Sequence, residues 1–144
     1  MATIQWFPGH MSKARRQVQE SIKFVDFVTV LVDARLPLSS QNPMLTKIVG
    51  EKPKLLVLNK ADLANPVRLK EWQTYFEGQG IPTLPLNSKE QSAVKKVTDA
   101  AKKLMADKLA RQKERGIRIE TLRTMIIGIP NAGKSTLMNR LAGK

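Results

Sequence analysis

"LRTMIIGIPNAGKST", Leu122 to Thr136, decides the fold. Its first half is an apolar run with the composition of a buried strand. Its second half has the spacing G-x-x-x-x-G-K-S, and "LMNRLAG" then continues as a helix. A strand that passes through a glycine-bearing loop into a helix is one unit of a parallel α/β sheet. In such a loop, successive backbone N–H groups turn inward around phosphate oxygens, and the helix N-terminus adds positive potential. Gly128 and Gly133 permit turns and a close approach that a side chain would block. On this reading Asn131, Ala132, Gly133, Lys134, Ser135 and Thr136 line the phosphates. Lys134 is the point charge for the outer phosphates, and Ser135 offers its hydroxyl to Mg2+. The competing reading is a strand-to-helix turn that binds nothing.

Upstream, the chain alternates in the same way. "FVTVLVDAR" (Phe27–Arg35) and "KLLVLNKAD" (Lys54–Asp62) are nearly continuous apolar runs, the pattern of strands covered on both faces. "PTLPLNSK" (Pro82–Lys89) is a weaker strand broken by Pro85. Between them lie helical patterns. "MSKARRQVQESIKFV" spaces Met11, Ala14, Val18, Ile22 and Val25 three or four apart. "NPMLTKIVG" has Asn42 as N-cap, Pro43 in the first turn and Gly50 as terminator. Asn65 and Pro66 repeat that signal before a helix with Leu69, Trp72 and Phe76 on one face. Residues 92 to about 114 read as one long helix, with Val94, Val97, Ala101 and Leu104 inward and Gly116 as a stop. Such alternation predicts a mostly parallel sheet with helices on both faces. No composition break divides the 144 residues, so a single domain is expected.

A second motif, "NKAD", Asn59 to Asp62, closes the strand "KLLVL". An ionised carboxylate accepts two hydrogen bonds, and guanine presents two adjacent donors, its ring N–H and its exocyclic amine. Adenine lacks that pair, so Asp62 would be left with an unpaired charge; a site of this kind discriminates by several powers of ten. Asn59 can bond the other side of the base, and the Lys60 stem can lie along the ring. Taken alone, "NKAD" is equally a polar turn after a strand. "LNSK", Leu86 to Lys89, follows another strand, where Asn87, Ser88 and the nearby backbone can touch the base from the far side. All three pieces belong at the carboxyl ends of parallel strands, where open α/β sheets bind ligands. Guanine nucleotide is the reading they share.

Composition sets the partners. Lys and Arg total 25 against 12 Asp and Glu, a formal net charge of +13, which attracts polyanions, nucleic acid before acidic membrane. Lys95, Lys96, Lys102, Lys103, Lys108, Arg111, Lys113 and Arg115 crowd the long helix, and Lys13, Arg15 and Arg16 mark the first. Lysine-rich faces also occur merely as solvated surface. The chain has no cysteine, which excludes a disulfide framework, a disulfide-linked partner and a thiolate metal site. The start, "MATIQWFPGHMSK", lacks a secretory pattern, and no apolar run approaches the roughly 20 residues of a membrane span. A cytoplasmic location without membrane attachment is expected.

With "WFPGHM" (Trp6–Met11), "DARLPLSSQNP" (Asp33–Pro43), "NKAD", "LNSK" and "GIPNAGKST" in that order, the whole chain resembles the circularly permuted GTPases of ribosome assembly. In the usual order the phosphate loop comes first; here it comes last. Rotation is physically cheap, because domain termini lie close together and every contact survives a change of cut point. The resemblance implies a P-loop NTPase fold of the Ras type. It places the loop-bearing strand, "VTVLV", "LLVL" and "TLPL" side by side. It implies hydrolysis of GTP to GDP and phosphate, with Mg2+, and assembly of the large ribosomal subunit through its rRNA. Relatives lack a water-orienting glutamine, and the family suggestion is the single histidine, His10, which otherwise would cap the helix near Ser12. Relatives with Asn at the position of Asn131 often use K+ beside the phosphates; a plain loop hydrogen bond is the alternative. Similar proteins continue through a switch loop, a strand ending in D-x-x-G and a C-terminal helical RNA-binding domain. The expectation is therefore a partial GTP-binding domain, incomplete at its C-terminus, that binds nucleotide and hydrolyses it poorly, with the strand "TMII" at an open sheet edge. Two further functions stay open: a non-catalytic rRNA-binding module, and a P-loop ATPase or kinase.

Overall fold

A computed structural model describes residues 3–9, 20, 22–35, 37, 50, 52–117, 121–128 and 134–141. Five strands, β1 (Thr3–Gly9), β2 (Phe27–Asp33), β3 (Lys54–Asn59), β4 (Thr83–Leu86) and β5 (Thr121–Gly128), form one sheet in the order β1-β5-β2-β3-β4. Every pairing is parallel. The order β5-β2-β3-β4 is the one the family resemblance implies.

Period-two alternation divides the core into two layers. On one face, Val28, Val30 and Val32 of β2, Leu56 and Leu58 of β3, and Met125 and Ile127 of β5 are buried with Phe76. Phe76 belongs to α1 (Pro66–Gly78), and Leu69 and Trp72 of that helix pack against the same layer. On the other face, Leu31, Leu55, Val57 and Ile126 meet Ala93 and Val97 of α2 (Ala93–Leu104) and Leu137 of α4 (Lys134–Leu141). Helices thus cover both faces, as the continuous apolar strands require. Asn65 caps α1 as its sequence predicts: its side-chain oxygen accepts from the N–H groups of Val67 and Arg68, at 2.9 and 3.2 Å. Pro85 sits in the edge strand β4, where a missing N–H disturbs the ladder least.

Three expectations are corrected. The strand "TMII" is not at an open edge: β1 pairs with β5 from Thr3 opposite Thr121 to Gly9 opposite Ile127. Pairing covers the polar backbone that an edge would expose. Pro8 and Gly9, which suggest a turn by composition, instead end an edge strand, a position that tolerates proline. The long helix is also two helices. It breaks at Met105 (φ −96°, ψ 9°), and α3 (Ala106–Glu114) follows. Met105 is buried with Phe27, Ala101 and Leu122, and Leu109 packs on that cluster, so the bend keeps apolar side chains against the sheet. Lys108 holds α3 from its polar side, donating to Asp26 Oδ1 at 2.7 Å. Val97 and Ala101 face inward as predicted, while Val94 and Leu104 are only partly buried. The helical patterns over 11–19 and 42–49 lie outside the described residues; Ile22 and Val25, at the end of the first, are in the core.

Candidate nucleotide-binding site

The register brings the strand ends to one rim. Asp33 pairs with Asn59, Asn59 with Leu86, and Leu31 with Gly128. The turns after β2, β3 and β4 therefore emerge together, on the side where β5 delivers its loop.

Asn59 is almost wholly buried, at 1% exposure, a costly place for an amide unless it is bonded. Its Oδ1 accepts from the Ser88 backbone N–H at 3.1 Å, and its carbonyl accepts from the Ala34 N–H at 2.7 Å. The next residue, Lys60, has φ +60°, a left-handed conformation uncommon outside glycine. That reversal starts a short 3-10 turn, Ala61–Leu63, in which Asp62 is exposed on the rim. Its carboxylate is available to a ligand arriving from solvent.

The turn after β4 is built from its own polar groups. Asn87 Oδ1 accepts from the Lys89 N–H at 3.1 Å, and the Asn87 carbonyl accepts from the Glu90 N–H at 3.0 Å. Ser88 is buried inside the turn. The Lys89 carbonyl accepts from Arg140 Nη2, so α4 reaches this turn directly.

Asp33 and Arg35, at the end of β2, form an ion pair that motif reading did not single out. Arg35 Nε donates to Asp33 Oδ1 at 3.0 Å, and Nη2 donates to Oδ2 at 2.8 Å. The Arg35 backbone N–H adds a third bond at 2.9 Å. The Arg35 guanidinium holds the Asp33 carboxyl below its usual range, against a smaller upward push from burial. The same fork raises the Arg35 guanidinium, to which Asp62 adds a weaker attraction. Lys60 Nζ stands 3.9 Å from Asp33 Oδ2. The sequence signal was present: an acid and an arginine two apart, where a buried strand meets solvent.

Asn59, Lys60, Asp62, Asn87 and Ser88 thus gather on the carboxyl ends of β3 and β4. Lys134, Ser135 and Thr136 form the first turn of α4, which follows β5. One strand, β2, separates β3 from β5, so the ends of these two strands stand about 10 Å apart across the sheet, two inter-strand spacings, and β4 lies one spacing further. A nucleoside diphosphate bridges such a span. His10, Asn131, Ala132 and Gly133 lie outside the described residues. Among the described residues, no three His, Asp or Glu gather to hold a metal, and no helix is long and apolar enough to cross a membrane.

A parallel sheet whose strand leading to the G-x-x-x-x-G-K-S motif follows β3 and β4 in the chain yet is interior in the sheet, with the turns after β3 and β4 on the same rim, defines a P-loop nucleotide-binding fold in circularly permuted order. Residues 123–144 match the family described as 50S ribosome-binding GTPase. Ribosome biogenesis GTPase A of Bacillus pumilus is 51% identical over 142 residues, 99% of this chain and 50% of that protein. Mitochondrial ribosome-associated GTPase 1 of Bos taurus is 40% identical over 141 residues, 95% of this chain and 41% of that protein. The crystal structure of GNP-bound YlqF from T. maritima superposes with a TM-score of 0.65 at 28% identity, covering 92% of this chain and 49% of that one. The chain spans about half the length of the curated relatives it matches first. Over 98–99% of its own length it is thus similar to the ribosome biogenesis GTPase A proteins, and its fold is similar to that of YlqF.

Proposed function

We propose that this chain is the guanine-nucleotide-binding part of a GTPase that acts in assembly of the large ribosomal subunit. The observation that carries the proposal is the rim itself: exposed Asp62 and the Asn59–Ser88 junction stand two strands from the helix that opens with Lys134. Asp62 accepts from the guanine ring N–H and amine, Asn59, Asn87 and Ser88 frame the base, and the Lys60 stem lies along it. The phosphate loop, Asn131 to Thr136, cradles the phosphates, with Lys134 neutralising their charge.

The reaction is attack of water on the γ-phosphorus of GTP, with cleavage of its bond to GDP. Catalysis in such a site is mostly positioning and charge stabilisation. Ser135 would offer its hydroxyl to Mg2+, which needs few protein ligands when phosphates supply the rest. Asn131 would offer a carbonyl oxygen to K+. His10 orients the water. The pairing of Gly9 with Ile127 supports this role, since β1 then ends one residue short of the level of Gly128.

The partner is the large subunit through its rRNA. The charge of +13 supports this reading, with exposed Lys95, Lys96, Lys103, Arg111, Lys113 and Arg115 on α2, α3 and the turn that follows. The names of the relatives point to ribosomes, and we place the protein in the cytoplasm.

Titration calorimetry with GDP and ADP is the test. Binding of GDP and not ADP supports the proposal; preference for ADP would make the protein an ATPase or kinase. Silence toward both, with RNA affinity that falls steeply as salt rises, would make it an RNA-binding module. Equal turnover in KCl and NaCl would remove the K+ role.

A further inference from the structure

We infer that Arg140 is a positioning residue that locks the base-facing turn to the phosphate-loop helix, so that both ends of one nucleotide meet a single rigid frame. The inference rests on the guanine-nucleotide reading above and extends it to a residue outside every motif.

The Leu86–Lys89 turn is held at three places. Inside it, Asn87 takes the Lys89 N–H. From β3, Asn59 takes the Ser88 N–H. From α4, Arg140 donates to the Lys89 carbonyl, across 51 residues of sequence. The second contact ties the two base-facing pieces to each other. The third ties them to the helix that begins at Lys134.

Geometry explains why an arginine serves here. α4 and α2 lie on the same face of the sheet, where Leu137 of α4 is buried with Leu86, Ala93 and Val97. Leu137 fixes the helix against the sheet, and Arg140, one turn on, reaches the turn that precedes α2. A guanidinium can donate sideways to a carbonyl while its stem packs along apolar neighbours, and the charge strengthens the bond.

A ligand that spans the rim gains only when its base site and phosphate site are held in register. Loosening one relative to the other makes binding restore the order, which weakens it. Arg140→Ala is therefore expected to weaken GDP roughly tenfold, the scale of one charge-assisted hydrogen bond, mainly through faster release. Arg140→Lys, which keeps a donor, is expected to recover part of the loss.

Two measurements on the purified chain test this. In the first, calorimetry compares GDP binding to wild type, Arg140→Ala and Arg140→Lys, with melting temperatures of the nucleotide-free proteins measured alongside. In the second, hydrogen exchange without nucleotide follows the amides of Ser88, Lys89 and Glu90. Weaker GDP binding by Arg140→Ala, partial rescue by lysine and faster exchange confined to the turn support the inference. Unchanged exchange at these amides would overturn it, as would GDP affinity equal to wild type, or a loss that follows a general fall in melting temperature. Failure of wild type to bind GDP would sink the guanine-nucleotide reading instead, and the exchange measurement still decides whether Arg140 holds the turn.

Discussion

Asn59 and Ser88 lie 29 residues apart in the chain, and the Asn59 side-chain oxygen accepts a hydrogen bond from the Ser88 backbone N–H at 3.1 Å. Both residues are buried. The first residue of "NKAD" is therefore part of the framework as well as of the proposed base site. Asn59→Ala would strand a buried N–H, at a cost of about 1–3 kcal/mol. Urea denaturation should show that loss in nucleotide-free protein, and GDP binding should weaken with it.

Asp62 is exposed and sits in a short turn, so its replacement should spare the fold. In Asp62→Asn, an amide donor faces the guanine amine, donor against donor. GDP affinity is expected to fall by about 1.5–3 kcal/mol, the range for bonds to a charged group. Xanthosine diphosphate carries a carbonyl in place of that amine and should gain on GDP. Calorimetry with both ligands checks the exchange, and an unchanged melting temperature shows that the effect belongs to recognition.

Asp26 joins three elements near the other end of the sheet. Its Oδ1 accepts from Lys108 Nζ at 2.7 Å and its Oδ2 from the Arg123 N–H at 2.8 Å. Burial pushes this carboxyl up, but the bonds from Lys108 and Arg123 outweigh it and hold the group below its ordinary value. A folded-state pKa below the unfolded one, about 3.9, stabilises fully above that pH and is lost as pH falls through the folded value. Asp26→Asn should cost about 1 kcal/mol at neutral pH, after discounting for solvent screening. The difference from wild type should begin to shrink as pH falls below about 4. Denaturation at pH 7, 5 and 3 checks the trend.

Thr29 and Thr124 are both buried, and their hydroxyls are 3.0 Å apart between the strands β2 and β5. Thr29→Val leaves the Thr124 hydroxyl without that bond, an expected loss of about 1–2 kcal/mol. The double change to valine removes both polar groups and should recover most of it. A double-mutant cycle in urea reads the coupling directly.

Asn65 caps α1 with two backbone bonds. Asn65→Ala should cost about 1 kcal/mol and lower the melting temperature by roughly 2–4 °C in a chain of this size. Asn65→Gly should cost less, because water reaches the bare backbone.

Much of the architecture was legible along the chain. β2 and β3 announce themselves by unbroken apolar runs, α1 by its Asn65–Pro66 start, and the rim by three loops that each follow a strand. β1 was not legible: "TIQWFPG" contains Pro8 and Gly9, and only its pairing with β5 makes it a strand. The break at Met105 was hidden too, because the pattern of residues 92–114 satisfies one helix as well as two. Of the site, the motif residues were visible and the Asp33–Arg35 fork left a local signal outside the motifs, whereas the Arg140 tie left none.

Sequence by itself determined the alternation of strands and helices and the two-faced burial of the sheet. These follow from local periodicity and from short spacings that the chain carries wherever it folds. Tertiary structure alone decided which strand covers β5, where α2 turns into α3, and which side chains bind Ser88 and Lys89 from afar. The reason is physical. A hydrogen bond between residues 29 or 51 positions apart leaves no periodic trace, because its partners become neighbours only when the sheet has formed.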